Sequence, residues 1–171
     1  MNNQEQRFEA LVRALSADLY RYAYWLCHNR SVAEDLVQET YMRAWHSFTH
    51  LQNEKSAKAW LITILRREHA RLYEKHRPEM VNIDDTILFA EGETQEQLAE
   101  QRMLQKAIAQ LELEFREPLL LQLIGGFTTS EIAELLELNQ NTVLTRLYRA
   151  RNKLKQLLAT PPQSAKGKHY G

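Results

Sequence analysis

The chain has 171 residues, enough for one ordinary domain or two small ones, and 44% of them are hydrophobic against 26% charged, a globular balance. Its single cysteine, Cys27, excludes an internal disulfide and a multi-cysteine zinc cluster, and no run of about 18 apolar residues offers a membrane span. The opening residues MNNQEQRFEA lack the basic-then-apolar order of a secretory signal, so a cytoplasmic protein without membrane insertion is expected.

Lys and Arg number 22, as do Asp and Glu, and the resulting net charge of zero counts at first against a nucleic-acid partner. The average conceals a division. Residues 1–78 hold 12 cations against 9 acids, residues 79–100 hold none against 7, and residues 101–171 hold 10 against 6. An acidic strip therefore separates two basic segments.

The first amphipathic pattern runs from about Arg7 to His28, with Phe8, Leu11, Leu15, Leu19, Tyr22, Ala23 and Leu26 at helical spacing. A turn at Asn29-Arg30-Ser31 ends it. Ser31 and Glu34 have capping-box spacing, and the helix they open carries Val37, Tyr41, Ala44, Trp45 and Phe48 as its expected core face. Asp35, Gln38, Glu39, Met42 and His46 occupy another face, an acidic and amide surface suited to a basic partner. After the polar segment 49–56 a third helix is predicted from about Ala57 to Lys75, ending before Pro78. Arg66, Arg67, Arg71, Lys75 and Arg77 give it a cationic edge for phosphates. Trp60 reads first as core and second as a stacking surface.

Residues 79–100 lack a sustained period in their first half, contain Gly92 and carry only acidic charge, so they are read as a linker whose last turn leads into the next helix. Helical spacing returns from Gln101 through Leu104, Ile108 and Leu111, and a helix at Pro118–Ile124 stops at Gly125-Gly126. The tail 160–171 lacks apolar content and is expected to be disordered.

The most specific signal spans Phe127 to Leu158. Thr128 and Glu131 form a capping box for a short helix with Ile132, Ala133, Leu135 and Leu136 on its buried side. Leu138-Asn139-Gln140 turns the chain, and Asn139 is a sound N-cap for a second helix with the seam Val143, Leu147, Ala150 and Leu154. This is a helix-turn-helix pattern. Thr142, Thr145, Arg146, Arg149 and Lys153 follow one another on the exposed side, and from Leu144 to Leu158 there are five cations and no acid. Such a helix suits the major groove, its N-terminal half reaching base edges and its cationic half facing phosphate.

This segment resembles the part of extracytoplasmic-function (ECF) sigma factors that reads the minus thirty-five promoter element, with the family pattern standing here as Thr142-Val143-Leu144-Thr145-Arg146-Leu147-Tyr148-Arg149-Ala150-Arg151. The resemblance implies that Thr142, Thr145, Arg146, Tyr148, Arg149 and Lys153 face that element. Leu144 stands where the family commonly has Lys or Arg, and Glu137 replaces the usual turn glycine. AEDLVQETYMRAWHSF, Ala33 to Phe48, is similar to the family's polymerase-docking helix, which assigns Asp35, Gln38, Glu39, Met42 and His46 to core RNA polymerase. The third helix resembles the segment that engages the minus ten element, implying roles for Trp60, Arg66, Arg67 and Arg71. In the loop before it, Asn53 sits where the family captures a base turned out of the opened strand. Arg67 and Arg71 depart from the commoner Asn and Asp. In the family the acidic linker threads the polymerase's RNA exit path.

His46, His50, His69 and His76 form no HExxH or comparable ligand set, and no nucleophile elbow, P-loop or dinucleotide fingerprint is present. No catalytic residue, metal or cofactor is therefore expected. The resulting expectation is an all-α protein of two small helical domains joined by an acidic linker, the C-terminal one a helix-turn-helix. Residues 1–78 would form a sigma region 2-like domain, 79–100 the linker and 101–159 a sigma region 4-like domain. Core RNA polymerase, promoter DNA and an anti-sigma factor are the partners the resemblance implies. The alternatives are a stand-alone helix-turn-helix regulator and, from another class, a helical metal-dependent enzyme.

Overall fold

The computed structural model describes residues 2–51, 53–75 and 92–159, and every regular element among them is helical. Helix α1 (Asn3–Cys27) opens on a capping box between Asn2 and Glu5, a few residues before the periodic stretch begins. It ends at His28, whose φ of 53° places it in the left-handed region. Asn29 then caps α2 (Arg30–Ser47), its side-chain oxygen accepting the Val32 N–H at 3.0 Å. The cap is thus Asn29 and not Ser31, because Asn29 is the last extended residue and Ser31 already lies in the first turn.

The core face of α2 also differs from its expected stripe. Ala33, Leu36, Thr40 and Ala44 are buried, Val37 and Tyr41 are half-buried, and Trp45 is exposed. Small side chains bring α2 close to its neighbours, and Thr40 hides its hydroxyl by donating to the Leu36 carbonyl at 2.7 Å. Trp45 instead lies on the surface against Phe8, with ring centroids 5.2 Å apart. Two 3₁₀ turns, Phe48–His50 and Glu54–Ser56, lead into α3 (Ala57–Lys75), which starts where the sequence predicts and runs to the last described residue of this stretch. Tyr22, Tyr24, Leu26, Leu36, Leu61, Ile62 and Leu65 are the largest fully buried side chains of these three helices.

Helix α4 (Gln95–Gln110) starts at a Thr94–Gln97 capping box, so helix takes over the last six residues of the predicted linker. Residues 79–91, the tail 160–171, and His76, Arg77 and Pro78 lie outside the described residues. Helix α5 (Leu113–Leu123) begins five residues before Pro118, which sits inside it. The turn after α5 needs both its glycines. A Cβ at Gly125 would stand 2.6 Å from the Leu121 carbonyl and from the Phe127 ring, and Gly126 has a φ of 71°. Helices α6 (Thr129–Leu136) and α7 (Gln140–Ala159) complete the fold.

The two halves share apolar contacts. Helix α1 packs against both α4 and α5, and Leu26 and Leu65 belong to the same buried cluster as Ile108, Leu120 and Leu121. A smaller cluster of Leu111, Phe115, Leu119 and Ala150 holds α7 on α5.

Candidate nucleic-acid interface

The local sequence builds the α6–α7 unit as its caps require. Thr128 and Glu131 satisfy each other's backbone N–H groups at the start of α6. The helix is stopped by Glu137 in the left-handed conformation, φ 55° and ψ 44°, at the position where a glycine would be unstrained. Leu138 donates its N–H to the Ala133 carbonyl at 3.0 Å, and Asn139 accepts the Thr142 N–H at 2.8 Å to start α7. Val143, Leu147 and Ala150 are buried, and Leu154 is half-buried. The seam read from sequence is the seam of the fold.

The other side of α7 faces water. Thr145, Tyr148 and Arg149 are exposed, while Thr142, Arg146 and Lys153 are half-buried. Asn139, Thr142, Thr145, Arg146 and Arg149 line a shallow groove whose far wall is Glu114 and Phe115 of α5. Arg146 and Arg149 form no salt bridge among the described residues. Lys153 is drawn aside, its ammonium 2.5 Å from the Glu112 carboxylate and 4.6 Å from the centroid of the Phe115 ring. That pair is solvent-exposed and cheap to exchange for a phosphate.

On α2, Asp35, Gln38, Met42 and His46 are exposed and Glu39 is half-buried. Glu39 accepts from Arg43 at 3.1 Å, and Arg43 also reaches the buried Glu68 of α3 at 2.6 Å. The face is therefore acidic at one end and apolar where Met42, 57% exposed, adjoins Trp45.

Helix α3 presents Arg67 and Arg71 to solvent, with Arg71 3.7 Å from Glu68. Asn53 is exposed and uses its side-chain oxygen to accept the Lys55 N–H at 3.0 Å. Trp60 is half-buried against the core. Arg66 does not share the exposed edge. It pairs with Glu117 of α5 and donates to the Leu135 carbonyl of α6 at 2.9 Å. Tyr22 lies buried in the electrostatic field of that pair, its phenol pushed above its ordinary range by burial first and by Glu117 next.

Sequence reasoning missed Arg116. Its guanidinium reaches across the seam to the Leu26 carbonyl at 2.9 Å and also donates to the carbonyls of Ile108, Ala109 and Leu111 at 3.3, 3.0 and 2.8 Å. His28 and His69 are buried within range of this charge, and each is lowered to about 4, by burial first and by Arg116 next; Arg66 adds to the effect on His69. A signal existed, since Arg116 is the one cation between Lys106 and Arg146 and stands in a leucine-rich stretch.

The chain matches known proteins along both halves. Residues 11–79 match Sigma-70 region 2 and residues 101–154 match Sigma-70 region 4. The RNA polymerase sigma factor SigV of Bacillus subtilis (strain 168) is 32% identical over 133 residues, covering 78% of this chain and 80% of SigV. The ECF RNA polymerase sigma factor SigM of the same organism is 30% identical over 147 residues, covering 82% and 88%. This chain belongs to the ECF sigma factor family. It is accordingly a transcription-initiation factor that directs RNA polymerase to promoters, and not an enzyme. A solved complex of the sigma factor RpoE with the anti-sigma factor NepR from Bartonella quintana contains a chain of similar fold, with a TM-score of 0.70 at 29% identity over 90% of this sigma factor and 95% of that chain. Among the described residues no helix is long and apolar enough to cross a membrane, and no three His, Cys, Asp or Glu side chains gather as metal ligands.

Proposed function

We propose that this sigma factor docks on core RNA polymerase through Asp35, Gln38, Glu39, Met42 and His46 of α2. It reads the minus ten element with Asn53, Trp60, Arg66, Arg67 and Arg71, and the minus thirty-five element with Thr142, Thr145, Arg146, Tyr148, Arg149 and Lys153. The observation that carries this reading is α7. Its apolar seam is buried and its N-terminus is capped, while Thr145 and Arg149 stand in water one turn apart with no acid held against the arginine. The minus ten role of Arg66 carries a condition. Its guanidinium is held by Glu117 and Leu135, so Arg66 meets that element only when α5 and α6 have moved off it.

Residues 1–78 and 101–159 serve as polymerase-docking domain and upstream reader, joined by residues 79–100, the last six of which already belong to α4, and the protein works in the cytoplasm. RpoE of Bartonella quintana is held by an anti-sigma factor, and a comparable protein restraint is proposed for this chain.

The test is promoter-specific transcription with added core polymerase. The free protein is expected to bind duplex promoter weakly and with steep salt dependence, and to initiate specifically once core enzyme is present. Arg149→Ala relaxes preference at one upstream position, costing about 1–3 kcal/mol. Asp35→Arg with Glu39→Arg puts like charges against the basic partner and abolishes core binding at unchanged helicity. A strong specific footprint from the free protein would instead identify a stand-alone regulator, and undiminished core binding by the double variant would remove the α2 assignment.

A further inference from the structure

Leu144 and Tyr148 lie one turn apart on α7, 53% and 67% exposed, and neither joins the buried seam. Two large apolar groups side by side in water make a small apolar patch on an otherwise polar and cationic face. Helical periodicity divides the water-facing side of α7 into two flanks about Thr145. One carries Thr142, Arg146, Arg149 and Lys153 and borders the groove against α5. The other carries Leu144, Tyr148, Arg151 and Lys155 at the same intervals. The first flank is polar from its start. The second is apolar over its first turn and cationic afterwards.

That order matches a major groove entered by the helix N-terminus, where early residues meet base edges and later ones meet phosphate. The cations on the same flank favour a polyanion over an apolar protein surface as the covering partner. Within the groove the thymine C5-methyl is the apolar group that base edges offer, the other edge positions being hydrogen-bond donors and acceptors. We propose that Leu144 and Tyr148 form an apolar strip that reads thymine methyl groups of the minus thirty-five element. This rests on the reading of α7 as the recognition helix and deepens it by naming the base. Leu144 has no hydrogen-bonding group, so a G·C edge brought against it would lose its water without compensation. The strip thus selects against G·C as well as for thymine. The Tyr148 ring supplies apolar area while its hydroxyl stays available to water or phosphate.

Holoenzyme reconstituted from the full chain and core polymerase is challenged with promoter duplexes randomised across both elements, and the winning templates are sequenced. Thymine is expected to be enriched at one or two adjacent upstream positions. Replacing it with deoxyuridine removes the methyl alone and weakens open-complex formation about fourfold, the factor for one buried methyl group. Leu144→Ala removes the sensitivity to deoxyuridine while helicity is unchanged, and Leu144→Arg moves the preference to guanine. An equal response of the parent to thymine and deoxyuridine, with base preference still relaxed by Arg149→Ala, overturns the strip and leaves α7 as the reader. Upstream selection that is absent, or indifferent to both Leu144→Ala and Arg149→Ala, removes the reader as well. A uniform loss of transcription on every template with Leu144→Ala also overturns the strip, by placing Leu144 against protein.

Discussion

The guanidinium of Arg66 on α3 is paired with the carboxylate of Glu117 on α5, joining the two halves of the chain across 51 positions of sequence. Both side chains are mostly shielded, 23% and 16% exposed, so the pair is screened less than the surface pairs of α1 and α2. The seam therefore competes with DNA for one of the cations proposed to read it.

Glu117→Ala leaves Arg66 half-buried with the Leu135 carbonyl as its remaining partner. The expected cost is about 1–3 kcal/mol of stability, the penalty for stranding a shielded charge. Release of Arg66 is also expected to strengthen binding of the free protein to single-stranded minus ten DNA. Urea unfolding and fluorescence anisotropy check the two effects separately. Unchanged stability would show that the pair does not hold the seam.

Arg116 satisfies four carbonyls with one planar fork, including that of Leu26 in the other half. Arg116→Met preserves much of the volume and takes the donor from those carbonyls, although Ile108 keeps the Leu111 N–H, with an expected loss of about 1–3 kcal/mol for the acceptors left unsatisfied. Arg116→Lys recovers only part of it, because an ammonium on a single stem cannot span the same acceptors. Equal stability of the Lys variant and the parent would refute the fork argument.

Acid should loosen the protein before its carboxylates titrate fully. His28 and His69 each fall to about 4 in the fold, below the ordinary value near 6.5, so between those limits the unfolded chain binds more protons. Their contribution to stability is complete above about pH 6.5 and is lost as pH falls through 4, at most about 3 kcal/mol for each. Urea midpoints between pH 7.5 and 4.5 measure the slope. His69→Gln or His28→Asn, the latter chosen because Asn tolerates the left-handed region, should flatten it. A slope that neither substitution alters would assign the acid sensitivity elsewhere.

Glu137 occupies a left-handed position without the glycine that would relieve it. Glu137→Gly is expected to stabilise the protein by about 0.5–1 kcal/mol, since the strain removed exceeds the entropy that glycine adds to the unfolded chain. Thermal unfolding checks this. A lower melting temperature would mean that the Glu137 side chain makes a contribution larger than its backbone costs.

The sequence by itself determined the elements whose signals are local. The Thr128–Glu131 capping box, the Asn139 cap and the seam of Val143, Leu147 and Ala150 lie within a few residues of the backbone groups they satisfy, so the helix-turn-helix was legible without a fold. The start of α3 at Ala57 was equally legible. Asn29 took the cap that Ser31 also matched because it is the last extended residue before the helix. Tertiary packing moved Trp45 out of the core, since Ala33 and Ala44 allow helices to approach where an indole would hold them apart. Only the tertiary structure decided which cations are free. Arg66 and Arg67 are neighbours in sequence and look alike there, yet one is bound into the seam by Glu117 and the other stands in water. The distinction depends on an acid 51 residues away, brought near by apolar packing of α1 against α5, and no periodicity within α3 carries that information.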